Sequence, residues 1–258
     1  MRRPLFKQWV HDYGWFALLL LILLVSWEAV VAIGWVPSFI IPAPTSIIRA
    51  LIEDSPLLIG QHLIATLEEV SLGFLLSVIV GVMLAVGMHI FRPLEKALYP
   101  FLIISQTIPL IALSPIFIMW FGYSIWSKVA VVFLTAFFPI VVSTYDGLKK
   151  GDRDYTELLL TMGANRWDIF RTIEIPMALP SFFSGLKLSI VYCVVGATIG
   201  EWLGGTKGLG YFSRRMASNM HTDAMFASIL LLSLLGISLF MMIVIIERQI
   251  LKRRGTTK

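Results

Sequence analysis

The sequence predicts an all-α polytopic membrane protein, and three observations support this fold class. Of its 258 residues, 57% are hydrophobic and only 14% are charged, and the mean hydropathy is +0.83. Apolar runs long enough to cross a bilayer recur along the whole chain. Little sequence remains between these runs, so we expect one transmembrane domain over residues 1–258. Basic loops beside a membrane explain the net charge of +5, which gives no indication of nucleic-acid binding.

Six apolar segments are predicted to form transmembrane helices, at residues 15–33, 63–88, 99–120, 127–145, 181–203 and 224–246. A basic stretch precedes the first segment, as in a signal peptide, but the run of about 19 residues is long and no convincing cleavage site follows. We therefore expect an uncleaved first helix, with Glu28 near its far end in reach of interfacial water. After the prolines at residues 42 and 44, Thr45 or Ser46 is expected to cap a short amphipathic helix.

The basic residues predict the orientation of the chain. Six helices place both termini on one side, and 15 Lys and Arg residues lie on that side. The opposite side carries 5, including Lys128, while Lys187 lies within the fifth helix and is expected to reach the interface. The positive-inside rule then predicts that both termini and the loop at residues 146–180 are cytoplasmic.

That cytoplasmic loop predicts a helix, a tight turn and a second helix. Residues 157–162 contain no helix breaker, and Gly163 is a natural helix end because glycine adopts the left-handed conformation without a Cβ clash. Residues 164–172 can form the second helix, with Trp167 and Phe170 on one face. Pro176 and Pro180 are then expected to mark the start of the fifth helix.

Apolar side chains in this loop lie outside the predicted spans and require a partner. They include Leu158, Leu159 and Met162. The loop either docks on another protein or lies as an amphipathic segment on the lipid surface.

The loop also resembles the EAA loop of ABC-importer permeases. In that family the pattern is Glu-Ala-Ala, three residues, Gly, nine residues and then Ile-x-Leu-Pro. Here Glu157, Gly163 and the segment from Ile173 to Pro176 have this spacing, with leucines in place of both alanines and isoleucine in place of the leucine. The resemblance implies ATPase-coupling roles for Glu157, Leu158, Leu159, Met162, Gly163, Ile173 and Pro176.

The resemblance covers nearly the whole chain from residue 41 onward. The segments at residues 106–117, 120–122, 138–140 and 204–211 are similar to the nitrate, sulfonate and taurine branch of these permeases. The sequence Gly-Glu-Trp-Leu-Gly-Gly at residues 200–205 is most similar to permeases for pyrimidine precursors of thiamine.

This family membership would imply a type I ABC importer permease fold in a bacterial inner membrane. It implies a homo- or heterodimer of permeases, two cytoplasmic ATPase subunits that bind ATP and Mg, and an external substrate-binding protein. The cargo would be a small polar or heteroaromatic solute, a thiamine pyrimidine precursor ahead of a sulfonate, taurine or nitrate, moved by alternating access.

Chemical motifs expected of an enzyme are absent from the sequence. It contains no Walker A pattern, no zinc-ligand spacing and no nucleophile elbow. We therefore expect a transport subunit without a cofactor, metal or catalytic residue of its own. A membrane-embedded enzyme, or an ATP-independent channel or secondary transporter, is the alternative.

Four polar residues are assigned to a translocation path or gate: Gln106, Thr107, Tyr192 and Glu201. Gln106 and Thr107 lie beside a proline in mid-membrane, where polar groups need local partners, so ordinary helix packing is the other explanation. Glu201 lies at the outer end of the fifth helix. There it forms either a structural salt bridge or gate lock, or a ligand contact.

Overall fold

The computed structural model describes residues 5–151 and 153–253; side chains are described except those of residues 5–13, 153, 154, 156, 157 and 253. This part of the chain is helical and contains no β-strand. Its helices are α1 (Leu5–Ala32), α2 (Pro44–Glu53), α3 (Ser55–Ile90), α4 (Arg92–Ser105), α5 (Leu110–Phe121), α6 (Ile125–Lys149), α7 (Arg153–Thr161), α8 (Arg166–Gly204), α9 (Leu209–Ser218) and α10 (Thr222–Arg253).

Five of the described helices are long and apolar enough to cross a membrane, and α4 with α5 supplies a sixth span if this bent pair is counted as one. The all-α polytopic fold is therefore confirmed. The predicted continuous helix at residues 99–120 is wrong, because α4 and α5 meet at an angle of 103°. Pro109 lacks a backbone N–H and disfavours helical geometry at Ile108, so the helix ends and restarts there.

Helix α6 lies at the centre of the bundle and packs against both α3 and α8. Small residues allow this close approach: a Cβ on Gly73 would overlap the Val132 side chain, and one on Gly81 would lie 3.0 Å from Ile140. Small residues at helix contacts are typical of membrane bundles.

The second loop helix is not separate from the fifth span, contrary to the sequence prediction. Helix α8 runs without interruption from Arg166 to Gly204 and includes both Pro176 and Pro180. A π-helical turn at Phe170–Glu174 directly precedes Pro176. Such turns rearrange the backbone hydrogen bonds that a proline would otherwise leave unmade, so the helix continues.

The prediction that Thr45 or Ser46 caps α2 is also wrong. The Glu28 carboxylate of α1 takes this role, since it accepts hydrogen bonds from the Thr45 amide (3.1 Å) and the Thr45 hydroxyl (2.7 Å). Ala43 occupies the cap position without a side-chain bond of its own. Glu28 therefore links α1 to α2, where a carboxylate also complements the helix dipole.

Two of the lysines considered in the sequence analysis, Lys128 and Lys187, take part in ion pairs between helices. Lys128 was counted with an outer loop in the sequence prediction, but it lies inside α6 and is buried, 3.5 Å from the Glu69 carboxylate of α3. Lys187 does not extend alone to the interface; its ammonium group lies 2.9 Å from Glu247 of α10. These pairs connect α3 to α6 and α8 to α10.

Candidate functional site

A cavity of about 370 Å³ opens where α4 and α5 separate. Helices α6 and α8 complete its wall. Four lining side chains are polar but uncharged: Ser105, Gln106, Thr135 and Tyr192. Phe138 and aliphatic residues form the rest, and no residue that lines this cavity in the described part of the chain carries a formal charge.

The polar lining groups retain hydrogen-bonding capacity. The hydroxyl of Ser105 donates to the Leu102 carbonyl (2.8 Å) and that of Thr135 to the Val132 carbonyl (2.7 Å), so their oxygens can still accept. The side chains of Gln106 and Tyr192 make no hydrogen bond to other described residues. A neutral ligand could therefore find both donors and acceptors here.

Two of the four predicted path residues, Gln106 and Tyr192, thus face the same cavity although 86 positions separate them in the sequence. Thr107 is not among the residues that line the cavity; its side chain is exposed and its hydroxyl donates to the Ile104 carbonyl. Glu201 also lies elsewhere, fully buried near the C-terminal end of α8. The path role of these residues stays a prediction.

Glu201 belongs to a cluster that caps the N-terminus of α9. Its carboxylate accepts hydrogen bonds from the amides of Gly210 (2.5 Å) and Tyr211 (3.4 Å). The first amides of a helix have no partner inside it, and a carboxylate complements the positive end of the helix dipole. Glu201 therefore holds the chain segment after α8 against the end of α8 itself.

Helix α3 completes this cap with two side chains. Thr66 donates to Glu201 (2.6 Å) and accepts from the Leu209 amide (2.9 Å), while His62 accepts from the Gly208 amide (3.1 Å). Gly208 has φ 113°, and a Cβ there would overlap the Glu201 carboxyl group. The segment from Gly208 to Tyr211 is thus attached to both α3 and α8.

A buried ion pair lies next to the cap. The carboxyl group of Glu69 is a neighbour of both Lys128 and Glu201. Glu69 Oε2 has no hydrogen-bond partner among the described residues. Sequence reasoning did not identify Thr66, His62, Glu69 and Lys128 as a group. His62, Thr66 and Glu69 lie on one face of α3 at helical spacing, which the sequence shows, but their contacts with Lys128 and Glu201 depend on how the helices pack.

At the opposite end of the bundle, α7 presents apolar side chains to its surroundings. Leu158, Leu160 and Met162 are exposed, and Leu159 is partly buried. Gly163 follows with φ 85°, which confirms the predicted left-handed helix end. Ile173 and Pro176 lie on α8, both partly buried, whereas the side chain of Glu157 lies outside the described residues.

The start of α8 is defined by contacts that the sequence prediction missed. Asn165 and Asp168 form a reciprocal capping box, with the Asp168 amide 2.9 Å from the Asn165 side chain. The Glu174 carboxylate lies 2.7 Å from Nε2 of His89, at the end of α3. These contacts orient α8 where it emerges from the bundle, and α7 precedes it across Gly163.

Comparison with known proteins gives the family. The family described as binding-protein-dependent transport system inner membrane component matches residues 77–252. The chain belongs to this family. It is a transport subunit and not an enzyme, because its relatives are permease subunits of ABC transporters.

Among curated relatives of this permease, the formylaminopyrimidine transport permease protein ThiX of Halalkalibacterium halodurans is 49% identical over 220 residues, 85% of this chain and 88% of that protein. The riboflavin transport system permease protein RibX of Chloroflexus aurantiacus is 34% identical, and the match covers 90% of this chain and 87% of that protein. The putative aliphatic sulfonates transport permease protein SsuC of Bacillus subtilis is 28% identical, and the match covers 95% of this chain and 90% of that protein. The predicted branch of the family is therefore confirmed.

Solved structures show the same fold at low sequence identity. An amino acid ABC transporter crystallised with histidines matches with a TM-score of 0.65 and 16% identity, covering 78% of this chain and 97% of that one. The MetNI methionine ABC transporter, in an inward-facing conformation, matches with a TM-score of 0.60 and 20% identity, covering 75% and 94%. The permease thus has the type I importer fold that its sequence predicted.

Proposed function

We propose that this permease imports a pyrimidine precursor of the formylaminopyrimidine type as the membrane subunit of an ATP-driven transporter. The observation that carries the proposal is the 49% identity to ThiX over 85% of the chain. The relatives named for sulfonates and riboflavin are more distant, at 28% and 34% identity. A small heteroaromatic solute is therefore the preferred cargo.

The proposed assembly contains two permease copies, two cytoplasmic ATPase subunits that bind ATP and Mg, and an external binding protein. Helix α7 is the proposed contact with the ATPase, because Leu158 and Met162, four positions apart, are exposed apolar side chains next to the helix end at Gly163. Movement of the ATPase would pass through α7 into α8. Alternating access would then follow from rigid-body motion of the transmembrane helices.

Substrate identity is tested with a strain that lacks the gene. The proposal expects failure to grow on limiting pyrimidine precursor and normal growth on a sulfonate as the sole sulfur source. The reverse pattern would overturn the assigned cargo. Uptake of labelled formylaminopyrimidine by the wild-type strain, dependent on the binding protein, is the direct measurement.

The ATPase contact is tested separately with Leu158→Asp. An unpaired charge in an apolar contact is unfavourable, so the ATPase should no longer co-purify with tagged permease and uptake should be lost. Thr172→Asp is the matched control, because Thr172 is exposed on α8 and lies outside the apolar surface of α7. Retention of the ATPase by Leu158→Asp would contradict the role given to α7.

A further inference from the structure

The cavity at the α4–α5 break has the chemistry of a small-molecule site. Its volume of about 370 Å³ lies at the lower end of the range for ligand pockets, and its wall is mostly apolar. Gln106 and Tyr192 line this cavity, and their side chains form no hydrogen bond to another described residue. Both side chains are exposed to the open cavity, so their polar groups are free to hydrogen bond to a molecule bound there.

The absence of charge from the wall restricts the ligand. An anion that enters the cavity loses much of its hydration, and no lysine, arginine or histidine among the described lining residues replaces it. The ionic residues Glu69 and Lys128 of the bundle pair with each other and do not contribute to this wall. Sulfonate, nitrate and zwitterionic taurine are therefore disfavoured relative to a neutral molecule.

The aromatic lining indicates the shape of that molecule. Phe138 and Tyr192 provide ring surfaces, and planar heteroaromatic rings pack favourably on such faces. The Gln106 amide can donate and accept at once, which matches a ring that carries an amine beside a ring nitrogen. Thr135 and Ser105 supply further acceptors.

We propose that the cavity between α4, α5, α6 and α8 binds an uncharged heteroaromatic ring during its passage through the permease. Gln106 and Thr135 hydrogen bond to the polar edge of the ring, and Phe138 and Tyr192 contact its faces. This inference rests on the proposed function, since it places the same cargo at a defined position in the membrane. It adds a specificity-determining site within the permease itself.

The first test removes single polar groups. Gln106→Leu and Thr135→Val each eliminate hydrogen-bonding capacity with little change in volume, and each is expected to lower kcat/KM for formylaminopyrimidine import about tenfold. Import is measured in proteoliposomes that contain the permease, its ATPase and its binding protein. Ser233→Ala removes a hydroxyl from a different cavity, between α8 and α10, and should leave import unchanged. Co-purification of the ATPase establishes that each variant is assembled.

The second test detects occupancy and does not depend on transport. Ile108→Cys introduces a thiol into the wall of the cavity, and Ile237→Cys introduces one into the cavity between α8 and α10. The native Cys193 is the only cysteine in the sequence and is buried, so background labelling by a polar thiol reagent should be low. Formylaminopyrimidine should slow labelling of Ile108→Cys several-fold and leave Ile237→Cys unaffected, whereas taurine and nitrate should protect neither.

The outcomes separate the two proposals. A wild-type assembly that imports no formylaminopyrimidine overturns the proposed function, and this inference with it. Wild-type import together with unchanged kcat/KM in Gln106→Leu and unprotected Ile108→Cys overturns the cavity site alone. Equal protection by taurine or nitrate overturns the preference for an uncharged ligand.

Discussion

Glu201 shows how one buried carboxylate can connect three helices at the C-terminal end of α8. Its two oxygens accept from Thr66 and from the first amides of α9, so that α3, α8 and α9 meet at a single group. Oε1 contacts the Thr66 hydroxyl and Oε2 accepts from both amides, so each oxygen of the carboxyl group serves a different neighbour. Glu201 therefore acts as a positioning residue that holds the start of α9 through hydrogen bonds to backbone amides.

Glu201→Gln should loosen this attachment. The amide oxygen can replace the Oε2 that accepts from Gly210 and Tyr211, but the amide NH2 then faces the Thr66 hydroxyl, which donates to Oε1, and this mismatch costs about 1–3 kcal/mol. We expect a lower melting temperature of the purified permease and a higher basal ATPase activity of the assembled transporter. Glu68→Gln is the control, because Glu68 is exposed on the same helix as Thr66. Unchanged stability and basal activity would show that the cap does not restrain the C-terminal end of α8.

Gly163 is a second position where a single residue determines local geometry. With φ 85° it ends α7, and no atom lies within 4 Å of a Cβ built there, so strain would come from the backbone alone. Gly163→Val should cost about 1–2 kcal/mol locally and change the angle between α7 and α8. We expect normal membrane insertion with reduced ATPase co-purification and uptake. Ala164→Val places the same side chain one position later, where the backbone is not left-handed, and should retain both. Equal loss in the two variants would contradict the backbone explanation.

At the scale of helices, the bundle is joined by contacts that cross between elements distant in sequence. The ion pairs Glu69–Lys128 and Lys187–Glu247 connect α3 to α6 and α8 to α10. The break between α4 and α5 serves a different purpose, since it creates the cavity wall while the neighbouring spans stay continuous. Non-helical backbone at membrane depth is tolerated where protein or a cavity surrounds it.

Substitution of one member of the Glu69–Lys128 pair should lower the stability of the permease more than substitution of both. Lys128→Met leaves a buried carboxyl group without its cation and should destabilise the permease by about 3–5 kcal/mol. The double variant Glu69→Gln/Lys128→Met removes both charges and should recover most of this loss. Thermal unfolding of the purified variants measures the difference. If the double variant is as unstable as the sum of the single variants, the two residues do not interact as a pair.

At the scale of the whole molecule, the distribution of basic residues still predicts the orientation after correction. Removing Lys128 from the outer count strengthens the bias towards the side of the termini. Reporter fusions after Lys150 and after Lys258 should report the cytoplasm, and fusions near Glu53 and Ser218 should report the outside. The six-span arrangement has one crossing between Lys150 and Ser218, which places these two sites on opposite sides of the membrane. A cytoplasmic signal at Ser218 would therefore contradict it.

Sequence alone was sufficient for features governed by local chemistry or by composition. Apolar runs predicted the number of spans because a bilayer requires about 20 apolar residues per helix. Gly163 was predictable because its conformation depends on its own lack of a Cβ. The spaced Glu157–Gly163–Pro176 pattern and its neighbours predicted the family, since they are contiguous in the chain.

Only the tertiary structure determined which distant groups meet. Pro109 ends a helix whereas Pro176 and Pro180 do not, and the difference depends on a π-helical turn and on packing that no local pattern reveals. Gln106 and Tyr192 face one cavity, while Glu201 caps a helix, because the arrangement of α4, α5, α6 and α8 decides which side of each helix is enclosed. Periodicity identifies a helix, but the partner of each buried polar group is set by helix packing across the bundle.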